Sequence, residues 1–145
     1  MTREAGTPDH DEAIQQLRDA GLRVTGPRLE ILHLLADGGH RDVESLTAEA
    51  RKKLGTLTSQ AVYEMLRNFL ETGLVTKFDR PGFPAVFEIA GPQHHHGLCT
   101  SCGRVENVGS ASPRKPGSKL PGWDVRSAEI VFRGLCPDCA AAAED

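Results

Sequence analysis

Four cysteines, and no others, stand in this 145-residue chain, arranged as Cys99-x-x-Cys102 and Cys136-x-x-Cys139 with 33 residues between the pairs. A CxxC turn aims two thiolates at one point, and two such turns complete a tetrahedral S4 site. Gly103 after the first pair and Pro137 inside the second suit turns of this kind. Four thiolates leave no open coordination position, so the expected role is structural. Zinc is the expected ion, with iron of the rubredoxin type as its rival, because S4 geometry serves both. The alternative is disulfides or unrelated buried thiols. The N-terminus (MTREAGTPDHDEA) is polar and acidic rather than a secretory signal, and no apolar run approaches the roughly 20 residues of a membrane span. A cytoplasmic location is therefore expected, and thiols stay reduced there. A C-terminal stretch of some 50 residues is too small to hold itself by core burial, so the metal is expected to staple it.

Upstream of the cysteines the chain reads as helices followed by a hairpin. Residues 1–10 are polar, with Gly6 and Pro8, and are expected to form a flexible tail. Ile14 and Leu17 then share a helical face, stopped by Gly21. Thr25-Gly26-Pro27 opens a second helix with Leu29, Leu32 and Leu35/Ala36 inward, ended by Gly38-Gly39. Asp42 caps a third, carrying Val43, Leu46, Ala50 and Leu54 up to Gly55. In the fourth, capped by Thr58 or Ser59, Val62, Met65, Leu66, Phe69 and Leu70 fall on one face before Gly73. Two β-prone runs, 74–78 and 85–89, flank the turn 79–84. This order predicts a winged helix-turn-helix over residues 11–89. Ala90-Gly91-Pro92 reads as a hinge, and residues 93–145 as a second, metal-binding domain with short strands at 97–99, 104–108 and 125–132. Three prolines make Ser110–Gly122 a loop. The fold class is α/β (α+β).

Gln93-His94-His95-His96 precedes the first CxxC. In extended chain His94 and His96 point to one side and His95 to the other. They make a chelating pair, to which Glu88 and His40 are candidate additions across the hinge. Such an N/O site is weaker than S4 and open to reversible occupation by Fe²⁺, Mn²⁺ or Zn²⁺. Consecutive loop histidines are also often merely solvated. His33, on an apolar helix, reads as a packed or surface residue, and His10 has no assigned role. The net charge is −3, and a cut after Arg80 leaves 11 basic and 13 acidic residues before it and 6 and 7 after it. Neither part is basic, so nucleic-acid binding must rest on a few placed cations and on metal charge.

Taken together these residues resemble the ferric uptake regulator family over nearly the whole chain, from about residue 12 to 141. The carriers are Ala20–Arg28 (AGLRVTGPR), Ser59–Tyr63 (SQAVY) with Leu66 and Gly73-Leu74-Val75, the run His94–Gly103 (HHHGLCTSCG), and Cys136-Pro137-Asp138-Cys139. SQAVYEML, HHHGLCTSCG and RGLCPDC are most similar to actinobacterial regulators encoded beside a catalase-peroxidase. The resemblance implies a homodimeric, metal-dependent repressor of promoter DNA, without enzymatic activity, small-molecule substrate or membrane association. It implies one structural zinc per subunit on Cys99, Cys102, Cys136 and Cys139. A regulatory divalent ion would fall on His40, Glu88, His94 and His96. DNA contacts would fall on a recognition helix bearing Ser59, Tyr63 and Arg67, with Arg23 in an A·T-rich minor groove of a palindromic site. Control of oxidative-stress genes through peroxide or iron would follow from the branch, with iron or zinc uptake as the alternative signal. Three departures stand out. Glu64 replaces the family's usual basic residue, Asn107 stands at a common carboxylate position beside Glu106, and Gln93 and Ser127-Ala128 lack the histidines of a third metal site.

Two other classes remain open. A zinc hydrolase is conceivable, since an open His/Glu zinc site activates water. However, no spare general base is evident and the winged helix would be idle. A zinc-ribbon interaction module leaves Arg23 and Tyr63 unexplained.

Overall fold

The structure, a computed structural model, describes residues 10–37, 39–92, 94–109 and 120–144. The expected tail before residue 10 and most of the proline-rich segment, from Ser110 to Lys119, lie outside the described residues, as do Gly38 and Gln93. The chain divides into two compact units, Met1–Ala90 and Gly91–Asp145.

The first unit is built from four helices and a hairpin: α1 (His10–Asp19), α2 (Gly26–Asp37), α3 (Val43–Leu54), α4 (Ser59–Glu71), β1 (Val75–Arg80) and β2 (Phe83–Ile89). Local signals account for the boundaries. The Asp42 carboxylate accepts from Ser45 N at 2.7 Å, capping α3, and the Thr58 hydroxyl accepts from Ala61 N at 3.1 Å, capping α4. Gly55 ends α3 at φ 73°, a left-handed conformation that favours glycine. Pro81-Gly82 turns β1 into antiparallel β2, with Val75 opposite Ile89 and an irregularity between Phe78 and Arg80. Arg80 steadies the tip: its Nε donates to Pro84 O at 2.8 Å and its guanidinium lies over the Phe83 ring.

The core of this unit gathers one face of every helix: Leu17, Ile31, Leu32, Leu35, Leu46, Ala50, Val62, Met65, Leu66 and Phe69, closed by Val75 and Phe87 of the hairpin. Two details differ from the sequence pattern. In α1 the buried pair is Ala13 and Leu17, with Ile14 only half-buried. In α2, Ile31 is fully buried while Leu29 packs at the margin. The reason is that α2 meets α1, α3 and β2, so more than one of its faces is covered.

The second unit is a three-stranded sheet plus a short helix: β3 (His95–Cys99), β4 (Val105–Val108), β5 (Val131–Gly134) and α5 (Pro137–Ala143), in strand order β4-β3-β5. β3 pairs antiparallel with β4 and parallel with β5. The last strand is shorter than its apolar run suggested, because β3 offers β5 only His96 to Cys99 as partners. α5 was not anticipated, although Pro137 at its first turn and four alanines favour it. Among the described residues only His95, His96, Leu98, Cys99 and Gly103 are buried here. Trp123, Val125, Ile130, Phe132 and Leu135 are exposed.

Candidate metal centres and nucleic-acid interface

The end of β3, the start of α5 and the turn after Cys99 bring all four cysteines together. Their Sγ atoms lie within 4.8 Å of one another, and Cys102 and Cys136 are 3.8 Å apart. A regular tetrahedron of thiolates about 2.3 Å from a zinc ion has an edge of about 3.8 Å, so the cluster fits that ion. All four cysteines are free rather than bridged. The first knuckle is shaped by Gly103, at φ 81°, whose N–H donates to Cys99 O at 2.9 Å, and by Cys102 N donating to Cys99 Sγ at 3.5 Å. Thr100 N donates to Gly134 O at 2.8 Å and ties this knuckle to the end of β5. Arg104 pairs with Glu106 and reaches Asp138 at 3.7 Å, linking the two knuckles.

The thiols do not titrate alike. Backbone N–H groups of Cys102 and Cys136 draw Cys99 down to about 6, whereas hydrogen bonding among the thiols, led by Cys136, pushes Cys139 up to about 12. A metal ion bound here displaces the remaining protons and removes that conflict.

The histidines and Glu88 form one pair in each unit. In the first, Arg41 and Phe87 exchange both backbone hydrogen bonds, at 3.0 and 2.8 Å, in an isolated antiparallel bridge. That register sets the flanking His40 opposite Glu88, and His40 Nε2 lies 3.1 Å from the Glu88 carboxylate. Glu88 is 8% exposed. In the second unit the rings of His94 and His96 are adjacent, with centroids 4.7 Å apart. His95 points elsewhere: its Nδ1 accepts from Ile130 N at 3.0 Å. Neutral imidazoles beside a buried carboxylate are ligand types suited to a divalent first-row ion. Asn107 stands directly opposite His96 on β4, while the Glu106 carboxylate is engaged by Arg104. Glu129, which sequence reasoning passed over, pairs through its carboxylate with His96 Nδ1. His10, expected to lie in the tail, is instead the first residue of α1, stacked on His33 with centroids 5.7 Å apart.

The outer face of α4 carries Gln60, Tyr63, Glu64 and Arg67. Tyr63, the chain's single tyrosine, is 51% exposed. Ser59 is the first residue of the helix, and Arg23 is exposed in the loop before α2. Arg67 is held between Glu64 at 3.7 Å and Glu71 at 3.3 Å, a clamp readable from its i,i+3 and i,i+4 spacing but not anticipated. Exposed pairs of this kind contribute at most about 1 kcal/mol each.

Comparison with known proteins identifies the relatives. A model of the Ferric uptake regulator family matches residues 19–132. Transcriptional regulator FurA of Mycobacterium tuberculosis is 38% identical over 137 residues, covering 92% of this chain and 91% of that protein. The Pseudomonas aeruginosa ferric uptake regulator, solved with manganese, shares 30% identity at a TM-score of 0.68 over 86% of this chain and 98% of its own. The Helicobacter pylori ferric uptake regulator, described with three functional metal binding sites, gives a TM-score of 0.78 over 94% of this chain and 97% of its own. At 17% identity that last likeness is one of fold.

Proposed function

The chain belongs to the ferric uptake regulator family of metal-responsive transcriptional regulators, which are not enzymes, and from that premise we propose that it is a homodimeric, metal-gated repressor. The observation that carries this reading is a closed thiolate cluster sharing a chain with a His40–Glu88 pair, a His94–His96 pair and a helix-turn-helix. Zinc on Cys99, Cys102, Cys136 and Cys139 holds the second unit together. His40 and Glu88 precede residues 90–92 and His94 and His96 follow them, so one regulatory ion bound to both pairs ties the DNA-binding residues to the second unit. Its effect on DNA binding then comes from its higher affinity for the DNA-competent state.

The exposed apolar residues around β5 supply the surface for a second copy of the chain. α4 enters the major groove with Ser59, Tyr63 and Arg67, and Arg23 enters an adjacent narrow, A·T-rich minor groove of a palindromic site. The cell compartment that fits this work is the cytoplasm. As signal we propose peroxide, acting on oxidative-stress genes such as catalase-peroxidase, on the strength of the SQAVYEML, HHHGLCTSCG and RGLCPDC segments. Oxidation of a ring at His40, His94 or His96 removes a donor and weakens the site, which releases the operator. Oxidation of the cysteines is the rival route. Peroxide treatment of Fe²⁺- and Mn²⁺-loaded protein followed by peptide mass spectrometry tests this. One added oxygen on a histidine peptide, in the iron form alone, supports it. Equal loss of DNA binding in both forms, with disulfides, overturns it.

A further inference from the structure

We propose that Glu129 is a positioning residue for the regulatory metal: its carboxylate holds His96 Nδ1 and thereby presents His96 Nε2 to the ion. The proposal rests on the reading of His94 and His96 as ligands, and it adds a residue that no ligand motif contains. A neutral imidazole has one donor and one acceptor nitrogen, and whichever nitrogen donates leaves the other lone pair free for a cation. The Glu129 carboxylate accepts only, so His96 carries its proton on Nδ1. His94 is oriented the same way, with Nδ1 donating to Pro92 O at 3.0 Å. Both rings of the chelating pair therefore turn Nε2 outward from their supports. A carboxylate behind a ligand histidine also makes the ligating nitrogen more basic.

The backbone explains how a residue 33 positions away reaches His96. Ile130 is pinned from both sides: its N–H donates to His95 Nδ1 at 3.0 Å, and its carbonyl accepts from His96 N at 3.2 Å. These two bonds set the chain just ahead of β5 against β3, so Glu129 arrives beside His96. The His96 side chain is 9% exposed and that of Glu129 46%, so a substitution at Glu129 alters a partly exposed group while the imidazole it supports stays enclosed.

The test uses the full-length, zinc-loaded protein and Co²⁺ or Mn²⁺ in competition with a fluorescent chelator. Long-range ¹H–¹⁵N spectra of the form without added metal report the His96 tautomer. Expected for Glu129→Ala are retained zinc, loss of the fixed Nδ1–H tautomer and affinity weakened by about 10–100-fold. Glu129→Gln should recover most of both, because an amide oxygen still accepts from Nδ1. Wild-type affinity in Glu129→Ala, with His96→Ala unable to bind, overturns the proposal and leaves the ligand reading standing. Equal loss in the Ala and Gln variants, with altered Co²⁺ absorption, makes Glu129 a direct ligand and also overturns it. Unchanged affinity in His96→Ala removes the ligand reading, and the proposal with it.

Discussion

Replacing Cys136 by serine removes one corner of the thiolate tetrahedron and tests how the second unit is held. Among its described residues the buried apolar side chains are Leu98 and Cys99. Full burial of a leucine contributes about 1.5–3 kcal/mol, and a small thiol less, so hydrophobic burial within one copy of the chain supplies only a few kcal/mol. Ordering the backbone costs about 1–2 kcal/mol for each residue fixed, which already exceeds that for a strand the length of β3. Apparent zinc binding in small thiolate sites is worth about 10–16 kcal/mol at neutral pH, several times the burial contribution. Cys136→Ser should therefore lose zinc and unfold β3, β4, β5 and α5. The first unit, with its twelve-residue core, should stay folded. Hydrogen exchange by mass spectrometry reads the two units separately. Exchange in 95–99 and 131–134 should rise to the rate of an open chain while 31–35 and 62–69 remain protected. Wild-type protection of β3 and β5 in zinc-free Cys136→Ser would refute the argument that metal, not burial, holds this unit.

Three further outcomes follow from other parts of the molecule. Tyr63→Ala should lower affinity for a selected operator about tenfold while leaving random-sequence DNA nearly unchanged; equal losses on both, by fluorescence anisotropy, contradict a reading role. Thr58→Ala removes the α4 cap and should destabilise the first unit by about 1 kcal/mol in urea denaturation, with an unchanged midpoint as the opposing result. The Cys99 thiol, held near 6 by backbone N–H groups, favours the folded thiolate cluster above its unfolded value near 9 and loses that contribution as pH falls through about 6. Acidification should release the zinc, because protons compete with the ion for the four thiolates, which a colorimetric chelator follows; zinc content unchanged down to about pH 3 contradicts the assignment.

What could be read from the sequence was what is local or periodic. Asp42 and Thr58 cap where their side chains allow it, Gly55 and Gly73 end helices at positive φ, and the α4 stripe is buried from Val62 to Phe69, with Leu70 at its end half-buried. The convergence of the two CxxC turns followed from ligand chemistry, since each turn aims two thiolates at one point. Pairings across long chain separations were hidden. Nothing in the order of residues sets His40 opposite Glu88, because the bridge that does so is a tertiary contact of Arg41 with Phe87. Likewise Glu129 meets His96 only through the parallel pairing of β5 with β3, a register that depends on the route of the intervening chain. Two misses had signals available. The alanines after Cys139 favour a helix, and Glu64, Arg67 and Glu71 carry the spacing of a charge clamp.

The central claim is that a second metal, beyond the thiolate zinc, gates DNA binding. The most direct measurement is operator affinity of zinc-loaded protein with and without Mn²⁺, on DNA selected from a random pool, alongside Mn²⁺ affinity with and without that DNA. Coupling between two ligands is reciprocal and typically amounts to about 5–150-fold. The account predicts that Mn²⁺ tightens operator binding within that range, that the operator tightens Mn²⁺ binding by the same factor, and that His96→Ala abolishes both effects while keeping its zinc. Equal operator affinity with and without Mn²⁺, in protein that binds the ion, would contradict it.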